Sequence, residues 1–182
     1  MWYSPKPTTA GLPDEPVTVA EAKAHTFIDH TDDDDEITML VAAARDHVER
    51  YCNLKLATQT VAAKCDDFGD LSYIPFGPVQ SITSIKYIDA DGLEQTLDAS
   101  VYELVADELC ASIVRQYNKT WPARRGGTRI TVTAVVGFLD IPPAIRHALL
   151  LLVGSGFRDR EAQEIMPMST ADALLSNFRR GA

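Results

Sequence analysis

Apolar residues recur at steps of three and four along one stretch of the chain: Ile37, Leu40, Val41, Ala44, Val48 and Tyr51. Arg45, Asp46, Glu49 and Arg50 fall mostly on the other side. This period predicts an amphipathic helix over about 36–52. Acidic residues from Asp32 to Glu36 open it. There the unpaired N–H groups and the helix dipole favour negative charge, by roughly 0.3–1 kcal/mol each. Asn53 supplies a stop. Upstream, Thr18 and Glu21 have capping-box spacing, and Val17 is placed to staple onto Ala22. They predict a helix over about 18–28, too short to persist unless it packs on something.

The period then becomes two. Thr58–Cys65, Val79–Ile88, Leu93–Leu97, Val101–Ala106, Leu109–Arg115 and Arg129–Val136 are rich in β-branched residues and read as strands. Ile130, Val132 and Ala134 should share one face. Asp89-Ala-Asp-Gly92 reads as a hairpin turn in which Gly92 takes a positive φ, and Asp107-Glu108 as a second turn. Short links between consecutive strands favour an antiparallel sheet or a small sandwich.

Helical spacing returns after Pro142-Pro143. Ile145, Leu149, Leu152 and Val153 form a stripe that predicts a helix over about 143–156, ending near Gly154 or Gly156. Residues 161–169 read as irregular around Pro167. Thr170 is placed to cap a last short helix whose apolar residues are Ala173, Leu174 and Phe178. At the other end Pro5, Pro7, Pro13 and Pro16 fix φ and remove donors, so residues 1–16 read as an extended arm outside any sheet interior. The reading is an α+β fold with N-terminal and C-terminal helices and an antiparallel β region over about 58–136. A main domain spans 17–160, with an arm before it and an extension over 161–182 after it.

Composition narrows the class of protein. With 182 residues, 46 % of them apolar and 24 % charged, the chain can hide roughly two thirds of its unfolded surface in a real core. A net charge of −9 disfavours a free-standing duplex-DNA binder, which needs an excess of Lys and Arg. The apolar run Ala148–Val153 is about a third of a membrane span, and the first residues lack the layout of a signal peptide. Neither membrane insertion nor secretion is expected. Cys52, Cys65 and Cys110 are odd in number and widely spaced, which fits reduced, buried thiols rather than a disulfide framework or a zinc site.

Charge is uneven along the chain. Residues 1–110 carry 7 basic and 21 acidic side chains, and residues 111–182 carry 10 basic and 5 acidic. Such asymmetry suits a molecule with two unlike partners, or one that meets copies of itself head to side. A single mixed, solvated surface after folding is the other reading.

Chemical motifs are sparse. Asp32, Asp33, Asp34 and Asp35 are contiguous and lack a turn glycine, so they cannot all surround a calcium ion. A helix start on a solvated acidic surface is the expectation. His25, His30, His47 and His147 show no short ligand spacing. No GxSxG, GxGxxG or GxxxxGK[ST] occurs, and Gly126-Gly127 leads into a strand, where it makes a poor phosphate cradle. Arg115-Gln-Tyr-Asn-Lys-Thr-Trp-Pro-Ala-Arg-Arg125 mixes basic and aromatic residues in a manner able to stack bases. A loop anchored by Trp121, with solvated arginines, is the expected reading. No catalytic residue, cofactor or metal is assigned.

The order of features says more than any motif. Pro16-Val-Thr-Val-Ala-Glu-Ala-Lys-Ala-His25 precedes the acidic start and a helix ending Val48-Glu-Arg-Tyr51. Pro75-Phe-Gly-Pro-Val-Gln-Ser-Ile-Thr-Ser-Ile-Lys-Tyr87, the Asp-Ala-Asp-Gly turn, Tyr117 and Trp121-Pro122 follow. Val132–Phe138 then leads to Ile141-Pro-Pro143 and the apolar helix. Over residues 16–160 this resembles the head–tail connector, or head-completion, proteins of long-tailed bacteriophages and related prophage-derived particles.

The resemblance implies a helical core with an inserted β region and no enzymatic activity. It implies a ring of copies, usually twelve, below the portal protein, joined to the next neck or tail protein and crossed by DNA that it touches only transiently. Such a chain would be made in the bacterial host cytoplasm and end in the virion. Within that frame Asp32, Asp33, Asp34 and Asp35 are candidates to face the channel. Leu174, Phe178, Arg179 and Arg180 are candidates for the portal contact. A small enzyme with a dispersed metal or acid/base site, or a cytoplasmic oligomeric adaptor module, remain the other classes.

Overall fold

The computed structural model describes residues 1–8, 15–107, 110–158 and 169–180. The elements run β1 (Lys6–Pro7), α1 (Val19–Thr26), α2 (Asp34–Cys52), β2 (Gln59–Cys65), β3 (Val79–Ile88) and β4 (Glu94–Thr96), then β5 (Tyr102–Ala106), β6 (Ala111–Arg115), β7 (Ile130–Val136), α3 (Pro143–Arg158) and α4 (Thr170–Leu175). The chain folds as two units. One comprises residues 1–13 and 58–138, and the other residues 14–57 and 139–181. The fold is α+β, with antiparallel strand pairing throughout.

The strand unit is built on a five-stranded sheet in the order β1-β2-β7-β3-β4, with β5 and β6 forming a separate two-stranded ribbon. The strict alternation in β7 places Ile130, Val132, Ala134 and Val136 inside, all fully buried. Val61, Ala63 and Cys65 of β2 join them through the register Val61↔Ala134 and Ala63↔Val132. Gly92 takes φ 87° in the turn between β3 and β4. The Asp89 carboxylate accepts from the N–H groups of Asp91 and Leu93, which pins the turn from within.

The N-terminal arm is a sheet edge in this structure. Lys6 and Pro7 lie opposite Ala62 and Val61, and the N–H groups of Tyr3 and Thr8 donate to the carbonyls of Lys64 and Thr60, both at 2.9 Å. Proline is tolerated there because an edge strand has one row of backbone groups with no partner to satisfy.

In the helical unit, α1 starts with the capping box between Thr18 and Glu21. It ends at Phe27 in a left-handed conformation. Ile37, Val41, Ala44 and Val48 form the buried stripe of α2, and Asn53 closes it at φ 53°. Glu49, expected on the polar side, is 5 % exposed. Its carboxylate accepts from the Leu56 N–H at 3.0 Å and meets Lys55 Nζ at 2.6 Å, so it satisfies the backbone just past the helix end.

The α3 helix continues through both glycines at which the sequence suggests a stop. A Cβ on Gly154 would lie 3.5 Å from the His25 ring, and one on Gly156 would lie 2.9 Å from Leu40 Cδ2. These glycines permit close helix packing and do not end the helix.

In α4 the cap is Ser169 rather than Thr170. The buried residues are Ala171 and Leu175 rather than Ala173 and Leu174. Cys110, expected buried, is exposed, whereas Cys52 and Cys65 are buried. The expected irregular stretch around Pro167, the Glu108 half of the second turn, Leu109 and Pro13 lie outside the described residues.

The charge asymmetry of the two chain halves is not carried over to the two units. The strand unit takes basic residues from the second half, and the helical unit mixes α1 and α2 with residues from both ends. No helix among the described residues is long and apolar enough to cross a membrane.

Candidate functional site

Three surfaces bear the residues that the sequence singles out, and a fourth emerges only from the structure. The first is the start of α2. Asp34 is tied to Lys23 Nζ at 2.6 Å, which links α2 to α1. Asp33 stands at the N-cap position without a side-chain cap bond, 3.7 Å from His30 Nε2. Asp32 and Asp35 are exposed. The run therefore divides into two carboxylates engaged with neighbours and two directed to solvent. Among the described residues no three His, Cys, Asp or Glu side chains come together as a metal site.

The second surface joins the chain end to the end of α2. Ser169 and Asp172 form a reciprocal capping box. The Ser169 backbone N–H, followed by its hydroxyl, holds the Asp172 carboxyl below its ordinary value. Leu175 is fully buried, and its carbonyl accepts from Cys52 Sγ at 3.8 Å. Burial pushes the Cys52 thiol up to about 11, against the opposing charge of Arg179.

The Arg179 guanidinium lies 4.9 Å from the centroid of Tyr51, and Tyr51 stacks on His47 at 6.0 Å. Arg180 is 7 % exposed, and its N–H donates to the Cys52 carbonyl at 3.0 Å. Two cations near the C-terminus of α2 suit the negative end of its dipole. Of the four candidate contact residues, Leu174 and Phe178 are half-buried and Arg179 is exposed. Arg180 serves as an anchor for this segment, because burial removes it from the surface.

The third surface is the basic and aromatic stretch from Arg115 to Arg125. Trp121 stacks face to face on Phe68 at 5.0 Å with a 4° interplanar angle, so its ring is spent on the core. Arg124 donates to Asp67 at 2.7 Å. That bond, with the Gly69 N–H second, holds the Asp67 carboxyl below its ordinary value. Tyr117, Lys119 and Arg125 remain exposed. The loop is anchored through its tryptophan, as expected, and the one aromatic ring it leaves exposed is that of Tyr117.

The fourth surface is the β5–β6 ribbon, which the sequence presents only as ordinary strands. Ala111 and Ile113 turn inward, while Glu103, Val105 and Val114 point to solvent. Its signal in the sequence is faint: the run Tyr102–Ala106 holds one charge and no proline.

Comparison with known proteins gives these surfaces a context. A family model described as head completion protein matches residues 15–164. No curated protein matches the chain significantly. Among solved structures, the fold is similar to a chain in the neck of an empty gene transfer agent (GTA) particle computed with C6 symmetry. The TM-score is 0.81 with 20 % identity, covering 99 % of this chain and 97 % of that one. A chain in the virion of the native particle matches with a TM-score of 0.81, 23 % identity and the same coverage. A chain in the native neck computed with C12 symmetry matches with a TM-score of 0.76 and 20 % identity, again over 99 % and 97 % of the two chains.

Proposed function

This chain belongs to the head completion protein family, and from that premise we propose that it is a structural part of a head–tail junction and breaks no covalent bond. Copies form a ring, twelve by resemblance, between the portal protein and the next neck or tail component, and DNA passes through the centre. The observation that carries the reading is the family match over residues 15–164. It is supported by a fold shared along nearly the full length with chains of GTA necks, one of them computed with C12 symmetry.

Within the ring, Asp32 and Asp35, with Asp33 beside them, would face the channel. Carboxylates there repel phosphate and keep the duplex mobile. Asp34 is engaged by Lys23 and acts mainly within the subunit. Leu174, Phe178 and Arg179 would meet the portal, on a segment that Leu175 and Arg180 hold in place. An apolar pair flanked by a cation is the kind of anchor that fits a groove on a partner.

The test is to express the chain with its portal protein and image the complex. The expected result is a ring of copies on the portal, lost in the Leu174→Ala/Phe178→Ala variant while its circular dichroism is unchanged. Failure of the wild-type chain to associate with portal, or mature particles that keep their tails without it, would overturn the proposal.

A further inference from the structure

The backbone pattern of the β5–β6 ribbon fixes which groups face outward. The Asp107 N–H donates to the Cys110 carbonyl at 2.7 Å, and the Gln116 N–H to the Val101 carbonyl at 3.0 Å. With the register Glu103↔Val114 and Val105↔Ser112, the hydrogen-bonded pairs fall at 101, 103, 105 and 107. The N–H and carbonyl groups of Tyr102, Leu104 and Ala106 therefore point away from β6. Among the described residues no backbone group bonds to them. On β6 the outward groups belong to Ala111, Ile113 and Arg115. The Ala111 carbonyl is taken by the Ile74 N–H at 2.9 Å, which leaves the Ile113–Arg115 end open.

The two edges of the five-stranded sheet are guarded. β1 is two residues long and consists of a lysine and a proline, and β4 is the exposed polar tripeptide Glu-Gln-Thr. Short strands, proline and charge are the usual devices against unwanted pairing. β5 has only one of these protections, the single charge of Glu103: it is five residues long, reads Tyr-Glu-Leu-Val-Ala without proline, and exposes 52 % of Val105 beside Val114 at 38 %. An edge left this open is suited to a partner strand in the assembled state.

Charge and symmetry indicate the partner. β5 carries one acid, Glu103, and β6 one base, Arg115, on opposite faces of the ribbon, so charge counts against pairing β5 with itself and supplies no ion pair across a β5–β6 joint. Pairing β5 with β5 would bring like charges together about a twofold axis. A cyclic ring joins two different surfaces of the same chain. Resting on the ring reading above, we propose that the open edge of β5 in one copy pairs antiparallel with the open edge of β6 in the next. The ribbons then join into a continuous belt around the ring, with Val105 and Val114 of adjacent copies side by side on one face.

The test uses a Cys110→Ser background, so that no other exposed thiol is present. Val105→Cys and Val114→Cys copies, differently tagged, are produced together in particle-forming cells and the necks are oxidised mildly. The expected result is a mixed 105–114 adduct between copies, at least tenfold above the 105–105 adduct. A dominant 105–105 adduct, or necks that contain the ring but give no mixed adduct, overturns the belt while leaving the ring intact. Necks in which the chain forms no ring overturn the belt together with the reading it rests on. A second variant, Ala106→Pro, removes one outward N–H and leaves the β5–β6 bonds in place. It should keep the wild-type circular dichroism and melting curve and lower ring yield at least tenfold. A folded variant with normal ring yield overturns the proposal.

Discussion

Replacing Leu175 with alanine tests the register of the last helix, and with it the division between residues that hold the chain end and residues free to meet a partner. Leu175 is fully buried and Leu174 is half-buried. Truncating a buried leucine removes its transfer energy and leaves a void. The usual cost is about 2–5 kcal/mol, whereas a half-exposed leucine costs about 1 kcal/mol or less. With a urea slope of about 2 kcal/mol/M, Leu175→Ala should lower the unfolding midpoint by about 1–2.5 M, and Leu174→Ala by no more than about 0.5 M. Circular dichroism at 222 nm is the appropriate signal, because both tryptophans, Trp2 and Trp121, lie in the strand unit. Equal midpoints for the two variants, or a larger loss for Leu174→Ala, would refute the register and return Leu174 to the core.

Three further outcomes are expected. Glu49→Ala leaves the buried Leu56 N–H without its acceptor and should cost about 2–4 kcal/mol by denaturant titration. Glu49→Gln keeps an oxygen there and should cost less. Acid should destabilise the protein. Glu21, Asp67 and Asp172 have carboxyl groups held below their ordinary values in the folded chain, so their contribution is complete above the ordinary carboxylate range and is lost as pH falls through and below it. Urea midpoints measured from pH 7 to pH 2 should stay level until that range and then drop, with a shallower drop in Asp67→Asn. An aromatic disulfide reagent at pH 8 should titrate one thiol quickly, Cys110. Cys52 and Cys65, buried and pushed up to about 11 and about 12, should react only on unfolding. Three fast thiols would contradict the burial.

What could be read in advance was whatever a local period encodes. The stripe Ile37–Val48 and the alternation Ile130–Val136 announce both their element and their buried face, because those side chains face one continuous core. β1 could not be read, because two residues, one of them proline, become a strand only when β2 supplies the partner. Glu49 sits where helix periodicity assigns solvent. Its burial depends on the turn at Leu56, which no window around the helix contains. Gly154 and Gly156 look like terminators in one dimension and are contact points in three, against His25 and Leu40. The acidic and basic residues proposed for the site were visible as types. Their division into engaged and exposed members was not, since Lys23, Tyr51 and Cys52 decide it from a distance.

The helical unit is drawn from residues 14–57 and 139–181, with the strand unit's main segment between them. During synthesis, α1 and α2 therefore leave the ribosome well before α3 exists to cover them. At about 5–20 residues per second, roughly 80 intervening residues take about 4–16 s to make. Ile37, Val41 and Val48 stay without their final partners over that interval, an exposure of apolar surface of the kind that favours aggregation. A slow codon stretch inside the β region would prolong the exposure, and faster translation there would shorten it.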